Sequence, residues 1–159
     1  MMSNIKKNTE LGLDENLKPL KTAEAIITQQ TFFEANFTPP FPAIDNTFKA
    51  NRFTYASLTS DSASIIGRFV HPETMTQIAI IIPRELENGE HPIKNSSSDD
   101  IYCSIAVSGV LYESESGTLT ITRDKNNQSV TAEFNFTFTY TGDIYTASGK
   151  LFLLATGPL

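Results

Sequence analysis

Cysteine and histidine are nearly absent from this chain, which has one of the first, Cys103, and two of the second, His71 and His91, in 159 residues. A single cysteine excludes an internal disulfide. Cys103 sits in the apolar run Ile101–Val107 with no histidine near it in sequence, the setting of a small buried hydrophobe and not of a reactive thiolate. Each histidine precedes a proline in a turn-like stretch, and neither has the spaced partner that a metal ligand or a general base needs. No cofactor and no catalytic residue is expected from these residues.

Charge is sparse too. Asp, Glu, Lys and Arg make up 19% of the residues, with a net charge of −6. An acidic surface argues against nucleic acid and against anionic membranes, which select basic faces. No apolar run is long enough to cross a bilayer. Residues 1–20 carry Lys6 and Lys7 but no apolar core with a small-residue cleavage site. The cytoplasm is therefore the default location, with leaderless export left open.

What is present is alternation. In Gln128–Tyr140, Val130, Ala132, Phe134, Phe136, Phe138 and Tyr140 alternate with Thr131, Glu133, Asn135, Thr137 and Thr139, the period of two that places successive side chains on opposite faces of a strand. Ile101–Tyr112, Gly117–Arg123 and Tyr145–Thr156 read as further strands, joined by turns such as Asp124-Lys125-Asn126-Asn127 and Thr141-Gly142-Asp143. Earlier in the chain, strands are expected within Asn46–Ala56, Ser62–Val70 and Thr76–Pro83, and Lys21–Phe37 fits either a helix, on Ala23, Ile26, Ile27 and Gln30, or the favoured strand over Ile27–Phe37. The run Ile78–Ile82 is apolar at every position, as in a strand buried on both sides. Thr38-Pro39-Pro40-Phe41-Pro42 is an extended connection, His71–Thr74 and Glu87–Glu90 are turns, and Asn95–Asp100 is the expected mobile loop. The pattern predicts one all-β domain, 21–159, an antiparallel β-sandwich or partly closed β-barrel of about eight or nine strands. Residues 1–20 form an N-terminal arm. Its larger apolar residues, Leu11, Leu13, Leu17 and Leu20, suit docking on its own domain or on a neighbour.

No constellation rises above its structural reading. Asp99 and Asp100, with Asp61 and Asp124, match no calcium loop and read as solvated loop acids. Glu113, Glu115 and Glu133 are the carboxylates from which a glycosidase pair would be drawn, but spacing does not single out a pair. Ser108-Gly109 and Ser116-Gly117 lack the flanking glycines of a nucleophile elbow. The sequons at Asn36, Asn95, Asn127 and Asn135 are by-products of Thr-rich strands. A ligand face is a candidate on Phe53, Tyr55, Tyr102, Tyr112 and Asn135, since aromatic rings and an amide suit a sugar or a peptide; Tyr112 and Tyr145 are also candidates to line a barrel interior.

The order of segments resembles a bacterial β-rich domain family of unknown function. The residues that carry it are Ala43–Ala50, Ile78–Pro83, Glu87–Gly89, Ser116–Asp124, Val130–Phe138 and Ser148–Leu153, so the likeness spans roughly 43–155 and leaves the arm outside. Asn46 stands where a turn glycine is usual, and Thr131-Ala132-Glu133 replaces the usual entry to the aromatic strand. The resemblance implies a β fold and no catalytic residue. The function expected is a non-enzymatic binding or assembly module acting through protein–protein contacts of the arm or an edge strand. Its partner is a protein or a second copy of the chain, and the alternative is a small-ligand or carbohydrate binder.

Overall fold

The alternating run becomes a strand at the interior of a sheet in a computed structural model that describes residues 7–20, 25–26, 30–44, 47–72, 74–95 and 100–159. Twelve strands lie among the described residues: β1 (Ala25–Ile26), β2 (Phe32–Thr38), β3 (Thr47–Lys49), β4 (Arg52–Ala56), β5 (Ser62–Val70), β6 (Met75–Pro83), β7 (Gly89–Ile93), β8 (Tyr102–Val107), β9 (Val110–Glu113), β10 (Ser116–Asp124), β11 (Ser129–Tyr140) and β12 (Asp143–Leu154). They form two antiparallel sheets, ordered β1-β4-β5-β6-β8-β9 and β3-β2-β12-β11-β10-β7, the first counting the two-residue β1. Among the described residues no ladder joins the two sheets, which meet at one edge only in the isolated bridge of Lys94 to Tyr102 and pack face to face. The fold is a sandwich and not a closed barrel.

The core follows from parity. Phe134, Phe136 and Phe138 of β11 face Ile65 of β5, Ile78 and Ile80 of β6 and Ile105 of β8 across the interface, all buried in one cluster. Phe41, in the proline-rich connection, joins this core with its ring 5.2 Å from Phe138 and 4.9 Å from Tyr140, so the connection seals one end of the sandwich. A second, smaller cluster lies on the outer face of the first sheet, where Ile66, Ala79, Ile81, Tyr102 and Ala106 meet Leu11 and Leu13. Residues 7–20 therefore cover one outer face. The outer face of the second sheet is left to its Thr, Asn and Glu side chains.

Three segments differ from the sequence expectation, each for a local reason. Asn46–Ala56 is two strands in different sheets: Ala50 N–H bonds the carbonyl of Phe33 in the second sheet, and Asn51 N–H bonds that of Arg68 in the first. The chain changes sheets between adjacent residues, which a period of two cannot reveal. Ile101–Tyr112 is a hairpin, because Ser108 and Gly109 both take positive φ and bring Val107 opposite Val110. Gly89–Ile93, expected as turn and loop, pairs with β10 at the sheet edge, where Pro92 needs no donor. In Lys21–Phe37 the described strands are β1 and the first part of β2, while 21–24 and 27–29 lie outside the described residues, as does most of the expected loop at 96–99.

Candidate functional site

The most specific arrangement of polar groups is on the outer face of the first sheet. Ser64 and Arg68 on β5 and Gln77 on β6 share that face, with Arg68 directly opposite Gln77, and all three are at most 1% exposed. Buried groups of this polarity require partners, and they find them in the main chain of the N-terminal segment. Ser64 Oγ donates to the carbonyl of Glu10 at 2.5 Å, Gln77 Nε2 to that of Leu11 at 2.9 Å and Arg68 Nη2 to that of Gly12 at 2.5 Å. Three consecutive carbonyls are thus captured by three side chains. Arg68 Nε also donates to Gln77 Oε1 at 2.6 Å, which orients the amide so that its nitrogen faces Leu11.

The segment is shaped for this cleft. A helical turn over residues 7–10 ends at Gly12, whose φ of +67° is a left-handed conformation open to glycine and whose missing Cβ leaves room for the Arg68 guanidinium. Leu11 and Leu13 then enter the apolar patch, each 1% exposed. The chain turns back so that Leu13 bridges Pro19, and Asp14 Oδ1 accepts from the amides of Asn16 and Lys18 to close the loop. Leu17 packs against the edge of the patch and Leu20 is half-buried. Glu10 is buried with them. Its carboxylate accepts from Tyr102 at 3.3 Å, and burial together with that carboxylate pushes the Tyr102 hydroxyl well above the usual tyrosine range.

The five residues proposed as a ligand face are not brought together. Phe53 and Tyr55 belong to the main core, with Tyr55 accepting from Arg123 Nε at 2.8 Å. Tyr102 lies beneath the N-terminal segment, Tyr112 packs in the aromatic cluster 6.0 Å from Phe41, and Asn135 alone of the five is exposed, on the far sheet. Tyr145 also stacks in that cluster, 5.7 Å from Phe138. The three glutamates are likewise dispersed. Glu113 is on β9 at the edge of the first sheet, and Glu115 accepts from Thr139, about 20 Å along β11 from Glu133. The loop acids find local partners: Asp100 pairs with Lys94 at 3.3 Å, and the amides of Asn127 and Asn126 hold Asp124 below the usual carboxylate range. Among the described residues no group of three His, Cys, Asp or Glu side chains could hold a metal. Burial pushes the Cys103 thiol far up, away from thiolate character.

The sequence reading passed over Ser64, Arg68 and Gln77. The signal was an arginine inside Ile65-Ile66-Gly67-Arg68-Phe69-Val70, where a charge in an apolar strand calls for a buried partner. Comparison with family models, with curated proteins and with solved structures gives no match. No helix among the described residues is long and apolar enough to cross a membrane.

Proposed function

We propose that the protein is a non-enzymatic binding and assembly module working through protein–protein contacts, with the outer face of the first sheet as receptor and residues 7–20 as its guest. The observation that carries this reading is the capture of the Glu10, Leu11 and Gly12 carbonyls by Ser64, Gln77 and Arg68. Main-chain recognition accepts any segment of the right shape, and the apolar patch then selects leucine at the positions of Leu11 and Leu13. A second copy of this chain carries that segment by definition. Exchange between two copies keeps every contact of the cleft, so it costs little beyond the ordering of the connection. The edges favour the segment over strand addition: β1 has two residues, β3 has three, β9 has four and β7 carries Pro92.

Light-scattering mass of the full-length protein at rising concentration tests the reading. A defined oligomer is expected, and Leu11→Asp, which places a charge in the patch, is expected to return it to monomer with the β spectrum kept. A wild-type monomer at every concentration contradicts self-assembly, and an oligomer indifferent to Leu11→Asp places the contact elsewhere.

A further inference from the structure

The outer face of the second sheet holds a concavity of about 420 Å³, on the opposite side of the molecule from the cleft. Register builds it. Asn36, Ser148, Asn135 and Thr118 stand in one row across β2, β12, β11 and β10, and Glu34, Lys150, Glu133 and Thr120 stand in the next. Four strands at their usual spacing make each row about 14 Å long. Gly149 lines the concavity between the two rows; on the core side of the sheet a Cβ there would run into the carbonyl oxygen of Glu34 and the ring of Phe134, so the close packing of β12 at this point requires glycine.

Two of the side chains on this face are engaged locally. Asn36 accepts from Thr47 Oγ1 at 2.8 Å, and Lys150 Nζ sits over the Phe32 ring at 5.9 Å from its centre. Glu34, Glu133, Asn135, Ser148, Thr118 and Thr120 make no side-chain hydrogen bond within the protein among the described residues. The face therefore presents two carboxylates, an amide and hydroxyls, spaced by the strand register and with free hydrogen-bonding capacity. An apolar ligand finds little to bury against here, and an anion meets two carboxylates against the one cation, Lys150, that stands between them in the row. A neutral chain of vicinal hydroxyls matches the array, because each carboxylate accepts, and each amide donates and accepts, along two directions.

We infer that this concavity is a saccharide-binding site, with Glu133 and Asn135 at its centre and Glu34, Ser148, Thr118 and Thr120 around them. The site is independent of the segment cleft, so either stands without the other.

The full-length protein should be titrated by calorimetry with neutral gluco-, manno- and xylo-oligosaccharides and, in parallel, with spermidine. Binding of at least one oligosaccharide is expected, weakened about tenfold by Asn135→Ala and by Glu133→Gln. Both positions are exposed, so neither variant is expected to change the unfolding midpoint. Silence toward all the saccharides overturns the assignment. Saccharide binding that neither variant weakens moves the site elsewhere and overturns it too, as does binding of spermidine alone.

Discussion

Arg68 is a charged side chain at 1% exposure, and its tolerance there depends on what it donates to. A guanidinium out of water is costly unless its N–H groups are met, and the Gln77 side chain and the Gly12 carbonyl meet two of them. Replacing it leaves a cavity and strips Gln77 and Gly12 of a donor. Arg68→Ala is expected to lower the stability of the full-length protein by about 3 kcal/mol in urea unfolding. A loss below about 1 kcal/mol contradicts a cluster that acts as a unit. At this scale the sequence was least legible. Phe53, Tyr55 and Tyr102 are aromatic residues that alternate correctly with their neighbours, yet alternation says only that two faces exist, not which is covered. Phe53 and Tyr55 turned inward, and Tyr102 turned outward into a face that the N-terminal segment covers.

Between residue and fold, the segment 7–20 explains strand β6. The run Ile78–Ile82 is apolar on both parities, which a half-solvated antiparallel strand does not need. Its even residues face the other sheet. Ala79 and Ile81 face outward and lie under Leu11 and Leu13. Both halves of this contact were legible as patterns, one a doubly buried strand and the other a leucine-bearing arm, but nothing in spacing ties an arm to a strand more than sixty residues later. Gly12 is the point at which the element can be undone. In Gly12→Ala the positive φ is strained and the methyl group meets the Arg68 guanidinium, so the segment should leave the cleft while the two sheets persist. Limited proteolysis reads this out: cleavage within residues 7–20 is expected to accelerate more than tenfold at unchanged β spectrum. Unchanged cleavage contradicts the role assigned to Gly12.

For the whole molecule, the all-β class and the antiparallel pairing were legible because β10, β11 and β12 are long, regular and joined by short turns. The second half of the chain is a meander in sequence order, β10 to β11 to β12. The first half is not. It changes sheets between Ala50 and Asn51, and the pairing of β2 with β12 joins segments more than a hundred residues apart, an outcome set by packing and not by local pattern. The result is a sandwich with two outer faces of opposite character. One combines an apolar patch with three buried polar side chains and is closed by a segment held through its main chain, and the other is polar and open. On the two proposals made above, one molecule engages a copy of itself on one side and a saccharide on the other. The most direct measurement is the binding of a labelled peptide spanning residues 7–20 to full-length Gly12→Ala, whose own segment no longer competes. Saturable binding, lost when Arg68→Ala is added, is the expected result; no binding, or equal binding of a peptide with its residues scrambled, would contradict a cleft that recognises the consecutive carbonyls of Glu10, Leu11 and Gly12 beside the leucines at 11 and 13.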